Sequence, residues 1–195
     1  KVVENDDDLI KATQEALNNA IAAVEPGVKT NYIGKIIEDT IKDFHYNPIK
    51  ELSGHGLKPY ILHSGVTIPN YNSNVGSKLK EGDTIAIEPF ASTKAGKLKT
   101  SEEVYIFKYL QDRPLRDPNS KKLLSIIKQN YKTLPFAERW LEKDYSNLKI
   151  NFSLRNLIRS NVIYPYNVLL DSEGGLVSQA ENSLIVTSSG CEVYT

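Results

Sequence analysis

Several things are scarce in these 195 residues, and each scarcity removes a class of function. Cys191 is the only cysteine, so no internal disulfide can form, and a reducing, cytoplasmic setting fits. No apolar run approaches the ~18 residues of a membrane span, and these residues contain no basic-then-apolar signal pattern. The one lysine preceded by glycine in a turn, Ala95-Gly96-Lys97-Leu98, lacks the earlier glycine and the Ser/Thr of a phosphate loop. There is no G-x-S-x-G nucleophile elbow, and Cys191 has no histidine near it in sequence to activate a thiolate. Methionine is absent and the chain opens on Lys1, so the expectation is that residues N-terminal to it have been removed or left out. Histidine occurs only as His45, His55 and His63.

What is present is ordinary for a globular chain: 40% hydrophobic and 25% charged residues, with zero net charge. That zero hides an asymmetry. Residues 113–164 carry 11 Lys/Arg against 4 Asp/Glu, and the remainder carries 13 against 20. A basic module set into an acidic body is expected, with domain limits of 1–112, 113–164 and 165–195. Leu9, Ala12, Ala16, Leu17, Ala20, Ile21 and Val24 recur at helical spacing behind Asp6-Asp7-Asp8, and Pro26-Gly27 stops the helix. A second helix, capped by Thr30 or Asn31, is expected to bury Ile33, Ile36, Ile37, Thr40, Ile41 and Phe44 and to end at His45. Strands are expected at 84–88, 104–109, 168–170, 176–187 and 191–194. Between them, helices are expected at 120–131, 135–141 and 154–160.

The chemistry concentrates in residues 52–90. His55 and His63 would stand about 26 Å apart on a straight strand, at roughly 3.3 Å per residue. They can serve one site only if the chain bends, and Gly56 and Pro59 permit that. Glu88 closes the strand Thr84-Ile85-Ala86-Ile87, with Thr84, Ala86 and Glu88 on one face and Pro89 ending the ladder. It reads either as an acid thrust into a cavity or as a strand end in water. Gln179, Glu181 and Ser183 share a face of the strand at 176–187, which is polar through its middle on both sides. One histidine and two carboxylates would suit Zn²⁺, Mn²⁺, Fe²⁺ or Co²⁺ rather than a thiolate-bound ion.

These segments also carry a family likeness. Leu52-Ser53-Gly54-His55, Leu62-His63-Ser64-Gly65-Val66-Thr67-Ile68-Pro69-Asn70, Glu81-Gly82-Asp83 and Ala86-Ile87-Glu88-Pro89-Phe90 resemble the type II methionine aminopeptidases, the archaeal form above all. Leu134-Pro135-Phe136-Ala137-Glu138-Arg139-Trp140-Leu141 is similar to the helical insertion of that type. The resemblance implies an α+β "pita-bread" fold, here its C-terminal half. It also implies two divalent ions (Co, Mn, Fe or Zn) and removal of the initiator methionine from nascent polypeptide N-termini. By motif, His55 and Glu88 would bind one ion, with Glu88 also the proton shuttle, and Glu181 would bridge both. His63 would contact the substrate amide, and Leu62, Phe90 and Tyr166 would wall the methionine pocket.

The departures from the family pattern are specific. Ala180 and Asn182-Ser183 flank Glu181 where the family has Phe and His-Thr. The family's two aspartate ligands and an earlier substrate-binding histidine have no counterpart, and Lys1-Val2-Val3 resembles the tail of the strand that follows those aspartates. The expectation is a partial enzyme, inactive without its N-terminal half. A reading from another class is a non-catalytic ribosome- or RNA-associated protein of the same fold, with the basic insertion facing RNA. Neither a membrane nor DNA is expected as a partner.

Overall fold

The computed structural model describes residues 7–142 and 146–195; the strand tail expected at Lys1-Val2-Val3 lies outside them. The chain divides into two compact units, Lys1–Lys99 with Leu170–Thr195, and Thr100–Leu169.

In the first unit, α1 (Asp7–Ala22) buries Leu9, Ala12, Ala16, Leu17 and Ala20 and carries Asp7 and Asp8 in its first turn, where the helix dipole favours them. After it, Gly27 takes φ +93°, a conformation that only glycine adopts freely. Helix α2 (Thr30–Asp43) buries Ile33, Ile37 and Ile41, each four residues from the next. Its cap position is occupied by Lys29, with no side-chain cap, rather than by Thr30 or Asn31. Those two side chains tie down the 70–78 loop: Thr30 Oγ1 accepts from the Ser77 N–H at 3.2 Å, and Asn31 Nδ2 donates to the Ser73 carbonyl at 3.1 Å. Both helices pack on an apolar core that includes Ile68, Leu79, Ile85, Ile87 and Leu184.

Two sheets complete this unit. One holds β1 (Asn47–Pro48), β5 (Phe90–Ser92) and β9 (Val177–Gln179) in the order β1-β5-β9. The other runs β11-β10-β4-β2-β3, from β2 (Ser53–Gly56), β3 (Thr67–Pro69), β4 (Thr84–Ile87), β10 (Asn182–Thr187) and β11 (Gly190–Val193). The single strand expected at 176–187 is therefore two strands in two sheets. Its partner divides in the same way, β4 lying in one sheet and β5 in the other. The interruption falls at Pro89, which has no N–H for the ladder. The Ala180 N–H still donates to the Pro89 carbonyl at 3.2 Å.

Asp171 holds the far end of this region. It is 2% exposed and accepts four hydrogen bonds: Ser92 Oγ at 2.8 Å, and the Gly96, Glu173 and Gly175 N–H groups at 3.0, 2.9 and 3.3 Å. Burial alone would push its pKa up, but those donors outweigh burial and hold it below the ordinary carboxylate value.

The second unit holds most of a sheet ordered β7-β6-β8, from β6 (Leu98–Tyr109), β7 (Pro135–Ala137) and β8 (Ile163–Asp171). It also has α3 (Pro118–Asn130) and α4 (Asn147–Arg159). Asp117 caps α3, accepting from the Ser120 N–H at 2.7 Å, with Pro118 at the first helical position. Leu123, Ile127, Phe136, Leu141, Ile150 and Leu157 form the core. The helix expected at 135–141 is instead β7 followed by one 3₁₀ turn, Glu138–Leu141. Seven residues are too few to nucleate a free-standing helix. Tertiary packing wins, because Phe136 sits 5.9 Å from Phe107 and stacks at 5.1 Å on Tyr131.

Candidate metal and catalytic site

The register of the first unit decides which side chains meet. Ile87 pairs with Asn182 and, beyond the interruption, Phe90 pairs with Gln179. The two ladders keep one register, so Glu88 falls directly opposite Glu181. Like charges facing each other across two strands destabilise unless something compensates them.

His55 reaches the same face from the neighbouring strand. It pairs with Ala86, two residues before Glu88 and therefore diagonal to it on that face. The flanking glycines allow the close approach: a Cβ at Gly54 would lie 2.3 Å from the Ala86 carbonyl oxygen, and one at Gly56 would lie 1.8 Å from that of Ser64. His55 Nε2 stands 2.8 Å from Glu88 Oε1, with the two side chains 10% and 14% exposed.

His63 arrives by the bend that the spacing required. Lys58 and Ile61 exchange backbone hydrogen bonds of 3.1 and 2.9 Å across a tight turn in which Tyr60 takes φ +60°. The chain then doubles back, and the His63 ring sits edge-on to His55 at 4.3 Å. The expected pair thus meets despite its eight-residue separation. Leu62, immediately before His63, is half-buried, and Phe90 is half-buried opposite Gln179. Tyr166 belongs to the second unit, where its ring meets Tyr164 at 5.1 Å.

The charges at this face are coupled. The Glu88 hydrogen bond raises the pKa of His55; burial opposes this, and the Glu88 charge, the Gly56 carbonyl and the Glu181 charge add to it. Burial, reinforced by the nearby Glu88 charge and opposed by His55, pushes Glu181 up. His55 Nδ1 also lies 3.3 Å from the Gly56 carbonyl. Donation to both Glu88 and Gly56 requires the doubly protonated ring. With Nδ1–H committed to Gly56, a neutral His55 presents the Nε2 lone pair to whatever cation lies on this face.

The donor chemistry therefore fits a divalent ion: one imidazole nitrogen whose tautomer is set by a carbonyl, and two carboxylates that repel each other. Among the described residues no group of three or more His, Cys, Asp or Glu side chains is already disposed around a common metal position, and His55 Nε2 is turned to Glu88. One residue at this face was not singled out in the sequence. Gln179 Nε2 donates to both Glu88 Oε2, at 3.4 Å, and Glu181 Oε2, at 3.3 Å. Its alternation with Glu181 was the available signal, but a neutral amide draws no notice beside two acids.

Comparison with known proteins bears on this geometry. The model of metallopeptidase family M24 matches residues 2–113. Methionine aminopeptidase of Methanothermobacter thermautotrophicus is 43% identical over 96% of the chain and 62% of its own length. That of Thermococcus onnurineus is 44% identical over 100% of the chain and 66% of its own length. The chain thus spans just under two thirds of the relatives it matches. Among solved structures, a thermophilic Arx1 superposes with a TM-score of 0.73 at 19% identity, over 95% of this chain and 56% of that one. Methionine aminopeptidase of Thermotoga maritima superposes at 0.61 with 20% identity, over 98% and 53%. At such identities the likeness concerns the fold, which is the α+β pita-bread architecture.

Proposed function

Because the chain belongs to metallopeptidase family M24, we propose that it is part of a methionine aminopeptidase that removes the initiator methionine from nascent proteins in the cytoplasm. The observation that carries this reading is the placement of Glu88 opposite Glu181 with His55 against Glu88. His55 and Glu88 would hold one divalent ion and Glu181 would be shared with a second. Such ions, Co, Mn, Fe or Zn, supply Lewis acidity and offset the carboxylate charge. Three donors do not complete two coordination spheres, so further ligands would come from polypeptide outside these 195 residues.

The chain's own residues then have distinct tasks. His63 donates an N–H to the carbonyl oxygen of the first peptide residue and stabilises the oxyanion as water adds. Glu88 takes the proton released by that water and returns it to the departing amine as the C–N bond breaks. Leu62 and Phe90 would line the methionine side chain's pocket.

The test uses the chain with Mn²⁺ or Co²⁺ and a Met-Ala-Ser peptide. No turnover is expected from the chain alone, and turnover would overturn the partial-enzyme reading. In an enzyme completed by the missing ligands, His55→Ala or Glu181→Ala should reduce activity to background. Wild-type rates in either would overturn the ligand assignment.

The second reading, a ribosome- or RNA-associated role, draws on the exposed Lys121, Lys122, Lys149, Arg155 and Arg159 of α3 and α4. It requires ribosome binding that weakens steeply with salt and is lost when Lys121, Lys122 and Lys128 are neutralised. Salt-independent binding would exclude it.

A further inference from the structure

Gln179 has no task in the mechanism above, yet it touches both acids of the site. We propose that Gln179 is a positioning residue whose one amide nitrogen ties the Glu88 and Glu181 carboxylates together, so that they face a shared divalent cation as a pair. The part of this that concerns the cation rests on the reading of His55, Glu88 and Glu181 as ligands.

Three observations lead there. The register sets Glu88 opposite Glu181, and Gln179 lies two residues before Glu181 on the same face, diagonal to Glu88. A terminal amide nitrogen carries two hydrogens, one for each acceptor, and the distances of 3.4 and 3.3 Å place one carboxylate at each. Pro89 removes the ladder donor at this point, so the backbone does less here to hold the two strands in step. A side-chain tie between residues 88 and 181 sets how the two carboxylates face each other there.

The residue type matters as well as the place. An ammonium at 179 would satisfy both carboxylates more strongly, but it would add a positive charge where a cation is to bind. A neutral amide reduces the repulsion between the acids and leaves their combined negative charge for the ion. Methionine has nearly the same length and no donor, and it isolates that function. Gln179 is exposed, so the exchange leaves the core intact.

The experiment compares the chain with Gln179→Met by side-chain carboxylate ¹³C NMR and by calorimetric titration with Mn²⁺ alone. The expected result is a shift of both the Glu88 and Glu181 carboxylate resonances, with Glu38 and Asp171 unmoved and the melting temperature unchanged. Mn²⁺ affinity should fall on the order of 10–100-fold, as for other groups that orient ligands. Gln179→Lys should abolish Mn²⁺ binding while the protein stays folded. Unmoved Glu88 and Glu181 resonances, or equal Mn²⁺ affinity in Gln179→Met and wild type, would overturn the proposal. If the three donors, without the missing ligands, take up no Mn²⁺, the carboxylate resonances decide whether Gln179 ties the two acids.

Discussion

The first unit takes titratable groups into the fold and pairs them, whereas the second surrounds an apolar core with charges that stay in water. Asp171, Glu38 and His55 are all buried in the first, and all are hydrogen-bonded or ion-paired. In the second, Lys128 pairs with Asp112 at 2.6 Å, but the two side chains remain 42% and 66% exposed. Matching a buried charge costs design freedom, because every neighbour must be a donor or a counter-charge. A solvated charge places no such demand on the fold. Chemistry therefore gathers in the unit where polar groups are held in place.

This contrast can be broken in order of expected effect. Asp171→Ala should cost on the order of 3–5 kcal/mol, since it strands the Ser92, Gly96, Glu173 and Gly175 donors in the interior. Urea unfolding measures this, and a loss below about 1 kcal/mol would mean that water replaces the carboxylate and that the unit does not depend on matching.

Glu38 sharpens the same point through pH. Burial would raise its pKa, but the Asn72 N–H and the Lys42 and Lys50 ammoniums outweigh that and hold it at about 2, against an ordinary 4.5. Its folded pKa is depressed, so its contribution is present above pH 4.5 and is lost as pH falls toward about 2. The half-exposed lysines are screened, which leaves a contribution of roughly 2–3 kcal/mol. Acid unfolding of Glu38→Gln should therefore show a shallower loss between those pH values than wild type. Identical acid limbs would remove Glu38 from the set of matched groups.

The smallest effect is expected at the surface pair. Lys128→Ala should leave the melting temperature of the protein unchanged within error, at low and at high salt. A salt-dependent fall in that temperature would show that the second unit also relies on its charges.

Much of this was legible in the chain. The buried faces of α1 and α2 follow from apolar residues three and four apart, and their side-chain directions are a local property of the helix. The common face of Gln179, Glu181 and Ser183, and that of Ala86 and Glu88, follow from strand alternation in the same way. The misread elements lie where local signals were weak or contradicted. Residues 135–141 have a helical pattern, but the aromatic contacts of Phe136 draw their first three into a strand. Thr30 and Asn31 have the chemistry of caps, but hold a loop across the molecule instead.

Alternation told which side of a strand each acid occupies, because that repeat depends only on neighbours in the chain. It could not tell that residue 88 faces residue 181, since pairing register is set between segments some ninety residues apart. Nor could it tell that both strands change sheets at Pro89, that His63 turns back onto His55, or that the amide of Gln179 reaches two carboxylates. Side-chain type and facing were decided by the sequence. The meeting of His55, His63, Glu88 and Glu181 was decided only when the strands paired, because register converts a local direction into a shared place.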